Sequence, residues 1–211
     1  MAHGRIAVAH ARRAALIVNT SLQVARSLPA SYVSRAIPAS RGTPMSFYDG
    51  SAPVFERQLT ALSAILDKAE AYAKEKNIDP SVLLNARLHP TMYPLVRQIQ
   101  IACDVAGKAC ARLTQTELPS MPDTETTFEQ LQARIKKVLA NIKALPAAKY
   151  EGAEKRDITF PVGPDKTMTL TGQQFLNHSV FPNFFFHCAT AYNILRHNGV
   201  ELGKRNFLGI A

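Results

Sequence analysis

Cysteine is scarce: the 211 residues contain three, Cys103, Cys110 and Cys188, an odd number without a Cys-x-x-Cys pair, which excludes a disulfide framework. Cys103 and Cys110 share one predicted helix and stand about 10 Å apart along its axis, too far to bridge. All three read as buried free thiols of a reducing compartment rather than nucleophiles, because no neighbouring residue supplies a partner that would stabilise a thiolate. Long apolar runs are missing as well. Nothing approaches the roughly 20 apolar residues of a membrane span, and the short run Ala14-Ala15-Leu16-Ile17-Val18 stops at Asn19-Thr20, which argues against a secretory signal. No glycine-rich phosphate loop and no nucleophile–base pair is recognisable.

Acidic side chains are absent from the first 44 residues, which carry Arg5, Arg12, Arg13, Arg26, Arg35 and Arg41 and no lysine. From Met45 onward 19 basic face 16 acidic side chains, so the overall charge of +9 is not the electrostatic footprint of a nucleic-acid binder. The expected partners therefore include neither nucleic acid nor membrane. Residues 1–44 read as an unfolded N-terminal extension, either transit-peptide-like or a mis-assigned start with Met45-Ser46 as the true one. Residues 45–211 read as one folded domain. The expected location is cytoplasmic, or mitochondrial if the extension is translated and the source is eukaryotic.

What is present is helical periodicity. A first helix is expected from near Pro53, with Ser51 as cap, to about Lys76, burying Phe55, Leu59, Leu62, Leu66 and Ala69. A second starts in the Pro90–Pro94 region and runs to Leu113 along Leu95, Ile99, Ala102, Ala106 and Leu113. Thr126 and Glu129 form a capping box for a third, with apolar positions Phe128, Leu131, Ile135, Val138, Ile142 and Leu145 and a stop at Pro146. The pattern then turns β-like at Ile158–Phe160 and Met168–Leu170 around Gly163-Pro164-Asp165, predicting a small hairpin. Thr171 and Gln174 cap a fourth helix that must kink or restart at Pro182 and ends at Gly199, with Val200 making the accompanying apolar contact. Four long striped helices specify an all-α four-helix bundle with a β-hairpin before the last helix.

One polar pair stands on a buried stripe. Val180, Phe184, His187, Ala191 and Ile194 alternate steps of four and three, and Asn183 lies one turn before His187. Such a pair inside a bundle must find hydrogen bonds or a metal, since leaving it unpaired costs about 1–3 kcal/mol. His178 has no partner at helical spacing and reads as surface or hairpin-facing; His197 beside Arg196 suits a helix C-terminus. Phe175, Phe181, Phe184, Phe185 and Phe186 are too many aromatics for one face, so some must pack on the hairpin or against a second subunit. Asp104 reads as a solvent-facing carboxylate.

The run Asn183-Phe184-Phe185-Phe186-His187 followed by Tyr192-Asn193-Ile194-Leu195-Arg196-His197-Asn198-Gly199, with the Pro94–Leu113 helix and the hairpin, resembles the DinB/YfiT-like superfamily of four-helix bundles, in a branch known only as a domain of unknown function. The resemblance covers residues 45–211. It implies a divalent-metal site of three histidines in the metal-binding members, one from the second helix and two, four residues apart, from the fourth. Placed on this chain, that pattern falls near Gln98, on Asn183 and on His187, so a single histidine stands in the place of three. Amide oxygens are neutral and weak beside imidazole, and no tight transition-metal site and no cofactor is expected. Gln98, Asn183 and His187 are instead the candidate pocket or buried hydrogen-bond network. The expected function is a non-catalytic bundle, binding a small-molecule ligand or acting as a homodimeric interaction module. The alternative is a metal-dependent transferase or hydrolase-type enzyme with a reduced metal site, which rests on the resemblance and His187 alone.

Overall fold

The structure, a computed structural model, describes residues 45–117 and 120–210. The expectation for residues 1–44 lies outside them. Helices α1 (Ala52–Glu75), α3 (Leu95–Thr114), α4 (Phe128–Lys143) and α5 (Phe181–His197) form the bundle, and two five-residue helices, α2 (Pro80–Leu84) and α6 (Lys204–Leu208), lie outside the sequence expectation. Every residue of the predicted stripes of α1, α3 and α5 is buried. So are Phe128, Leu131, Ile135, Val138 and Ile142 of α4, whereas Leu145 is only half-buried. The side chains lock into one core because each stripe faces the bundle axis at the three-and-four spacing of a helix. α3 packs most extensively on α5, while α4 bridges α1 and α3.

The helix ends show where local chemistry departs from the expectation. Ser51 does not cap α1: its hydroxyl donates backwards to the carbonyls of Phe47 (2.7 Å) and Tyr48 (3.1 Å), tying down the segment before the helix. Pro80 does not simply follow the end of α1. It opens α2, where Asp79 accepts a hydrogen bond from the Ser81 amide at 2.8 Å. The capping box of α4 is Thr127–Gln130 rather than Thr126–Glu129, one residue later. In that register the Gln130 side-chain oxygen accepts from the amides of both Thr126 (2.6 Å) and Thr127 (3.2 Å), which satisfies one more orphan donor than a single box.

β1 (Asp157–Gly163) and β2 (Lys166–Thr171) pair antiparallel, with Ile158 opposite Leu170 and Phe160 opposite Met168. Ile158 and Phe160 point into the core, and the Phe160 ring meets Phe175 at 4.8 Å. Thr171 and Gln174 form the expected capping box. The interruption tied to Pro182 takes the form of a π-helical segment, Phe175–Val180, running directly into α5. Proline supplies no N–H to the carbonyl four residues before it, so a wider turn ahead of Pro182 costs less than a regular ladder with a gap. Gly199 closes α5 at φ 93°, a conformation that a side chain would strain, and a Cβ there would also displace the Tyr72 hydroxyl, 2.5 Å away.

Among the described residues no helix is long and apolar enough to cross a membrane. The phenylalanine excess is largely absorbed within the chain. Phe175 and Phe184 are buried, Phe181 and Phe184 pack on Phe55 at 5.5 and 5.1 Å, and Phe185 packs on both Phe181 and Phe184. Phe186 remains 55% exposed.

Candidate functional site

His187 reaches the bundle interior because α5 carries it on the stripe between Phe184 and Ala191, and α3 presents Gln98 to it. His187 Nδ1 lies 2.6 Å from Gln98 Oε1, and Gln98 Nε2 donates to the Tyr93 carbonyl at 2.9 Å. Gln98 is 1% exposed and His187 8%. Because the amide nitrogen is committed to Tyr93, the amide oxygen faces the ring, and the network assigns the proton to Nδ1 of a neutral imidazole. Burial, with the positive charge of Arg97 behind it, holds the His187 pKa below its ordinary value. The pair thus fastens α5 to the N-terminus of α3 and to the loop that leads into it.

Asn183 does not join them. It is exposed, and borders a groove of about 530 Å³ between α3, the hairpin and the π-helical segment, together with Arg97, Ile101 and Val105. Asn183 occupies the flank of the stripe, where Phe184 takes the buried place and a polar side chain keeps its water. The structure therefore brings together two of the three candidate residues, Gln98 and His187.

A divalent ion of the kind the resemblance implies does not fit this donor set. One histidine is offered where three are the ordinary minimum, the Gln98 oxygen is engaged by His187 itself, and Asn183 faces away. The Arg97 charge that depresses the histidine pKa opposes a cation at the same place. Among the described residues no group of three His, Cys, Asp or Glu side chains is arranged to hold a metal ion.

Two further environments hold titratable groups inside the fold. Cys103, Cys110 and Cys188 are all buried, and burial pushes the first two thiols up to about 12 and the third higher still, which makes them poor nucleophiles. Asp104, expected to face solvent, belongs instead to an ionic cluster. The Arg134 guanidinium, whose side chain is 1% exposed, donates to Asp104 (2.6 Å), Asp123 (3.0 Å), Glu125 (2.9 Å) and the Pro122 carbonyl (3.1 Å). Arg97 pairs with Asp123 and donates to Gln100 (3.2 Å), and Gln100 donates to Glu125 at 2.9 Å. One signal for the cluster was available: Arg134 sits three residues after Leu131 and four before Val138, hence on the inward face of α4.

Residues 47–208 match a family model described as Domain of unknown function (DUF1993). The chain is also similar to a solved structure of a DinB family member protein from Shewanella denitrificans. The two are 44% identical, with a TM-score of 0.72 over 77% of this chain and 91% of that one. None of the curated proteins compared matches the chain.

Proposed function

The chain belongs to the DUF1993 family and is DinB-like, and from that premise we propose that it is a non-catalytic bundle that binds a small molecule in the groove beside Asn183. One observation carries the reading: the polar pair that would anchor chemistry closes on itself, Nδ1 to Oε1 at 2.6 Å, while the neighbouring face of α3 opens into a cavity of about 530 Å³. Ligand sites of small molecules are commonly concave, mostly apolar and in the range of roughly 300–1,000 Å³. A larger hollow of about 670 Å³ lies between Met45–Gly50 and Ala147–Gly152. Its lining includes no residue of α3 or α5, the helices that carry Gln98 and His187, so the groove on α3 is the better seat.

Metal titration separates this reading from the enzyme alternative. Protein dialysed against a chelator and then titrated with zinc, nickel or manganese is expected to take up no stoichiometric ion at micromolar free metal. Retention of about one tightly held equivalent would overturn the proposal and support a metal-dependent activity.

Self-association is a second, compatible reading, supported by two exposed aromatics flanking the Gln98–His187 pair. Phe186 is 55% exposed and stands edge-on to the His187 ring at 5.3 Å, and Tyr93 is 58% exposed. Sedimentation at micromolar concentration is expected to show a homodimer, which Phe186→Glu weakens at least tenfold; a wild-type monomer throughout that range would remove this reading.

A further inference from the structure

Among the described residues, one cation of the groove on α3 lacks a counter-ion. Of the basic residues on its wall, Arg97 is paired with Asp123, and Lys108 with Asp104 at 2.7 Å. Asp104, the acid on the same wall, is itself held by Arg134 at 2.6 Å. Arg112, half-buried on the last turn of α3, has no carboxylate within salt-bridge distance and no side-chain hydrogen bond among the described residues. Burial lowers its pKa, the mark of a guanidinium that has lost water without gaining an anion.

Apart from Asn183 and Ser179, the rest of the groove is apolar. Ile101 and Val105 line it from α3, Phe160 from the hairpin, and Phe175 and Val180 from the π-helical segment. Val162, at the hairpin rim, is 48% exposed and presents apolar surface to the same space. The π-helical segment that Pro182 imposes thus forms one wall of the groove.

We propose that this groove binds a small monocarboxylate with an apolar body, its carboxylate on the Arg112 guanidinium and its body against Val105 and Ile101. Arginine is suited to that role because its planar fork matches a carboxylate with two parallel N–H donors, and a partly dry setting strengthens the pair. The apolar walls select against small hydrophilic anions, which would stay hydrated. This inference rests on the small-molecule-binding reading above and adds the ligand class and its anchor.

The test uses three probes of one shape: octanoate, octanol and octylamine, titrated calorimetrically into the full chain. Octanoate is expected to bind with one-to-one saturation, at least tenfold tighter than octylamine. Arg112→Gln is expected to weaken octanoate at least tenfold while leaving octanol affinity within a factor of about two and the melting temperature unchanged or raised. A structural role for Arg112 would not produce that split between two ligands of equal length. Ile101→Trp, which fills the groove without touching its charge, is expected to weaken octanoate and octanol alike. Equal affinity for octanoate and octylamine, an Arg112→Gln protein that binds octanoate as well as wild type, or no saturable octanoate binding would each overturn the proposal. Saturable binding of octanol or octylamine without preference for octanoate would sink the carboxylate assignment alone and leave small-molecule binding standing. A tightly held metal equivalent would undo the broader reading whatever octanoate does.

Discussion

Replacing His187 with alanine is expected to destabilise the protein by about 2–4 kcal/mol, a fall in melting temperature on the order of 10 °C for a domain of this size. Two effects add. The substitution empties the space between Phe184, Phe186 and Ala191, and it leaves Gln98 Oε1, on a residue 1% exposed, without its 2.6 Å donor. His187→Gln keeps an N–H able to reach that oxygen and is expected to lose about half as much. In a double-mutant cycle with Gln98→Ala the two losses should fall short of additivity by about 1–2 kcal/mol, because the second substitution removes an acceptor already orphaned. The pH dependence supplies a separate check. A folded-state pKa below the ordinary value of 6.5 means that the unfolded chain binds the proton more tightly. The histidine's contribution is therefore complete above that value, declines as pH falls through it toward the folded pKa, and is flat below. The difference in unfolding free energy between wild type and His187→Gln, measured by urea titration from pH 7.5 to 4.5, should shrink on acidification. A difference that stays constant or grows would show that burial does not hold this ring neutral. An alanine variant that keeps its full melting temperature while losing a bound metal or an activity would assign His187 to chemistry instead.

The bundle was legible in the sequence because its elements are long. Over the 24 residues of α1 and the 20 of α3, three-and-four spacing repeats often enough to define a face, and every predicted stripe position there is buried. The five-residue helices α2 and α6 offer too few turns for any period, and only the Asp79 cap could have announced the first of them. Overlapping signals explain the displaced cap of α4: Thr126–Glu129 and Thr127–Gln130 satisfy the same spacing, and the choice between them depends on which side chain can gather two amides. His187 was legible as a buried polar residue because one stripe carries it. Asn183, at the edge of that stripe, obeyed the same spacing and turned out to solvent, since a four-residue step specifies a neighbouring turn but not the centre of a face. The groove had no signature at all. It is made by α3, a hairpin and a π-helical turn that meet only in the fold, and the unpaired state of Arg112 depends on where each nearby acid goes.

The ionic cluster around Arg134 shows the same dependence on tertiary placement and carries the larger expected loss. Arg134→Met should destabilise the protein by about 3–5 kcal/mol, because the methionine fills much of the volume but leaves Asp104, Asp123 and Glu125 facing one another without their shared counter-charge. The three carboxylates retain 25%, 35% and 13% side-chain exposure, and Lys108 and Arg97 still neutralise two of them, which keeps the loss within that range. Arg134→Lys should recover only a minor part, since one ammonium cannot reach three acids and the Pro122 carbonyl together as a guanidinium does. The effect should also have an address. Asp123 and Glu125 lie in the connection between α3 and α4, whose described residues form no helix or strand and are fastened to the bundle through Arg134, Arg97 and Gln100. Under conditions where Arg134→Met is still folded, amide exchange should accelerate in residues 120–127 and the first turn of α4 well before it does in α1 or α5. Uniform acceleration across the four helices would mean that Arg134 supports the core as a whole and does not specifically hold the connection in place.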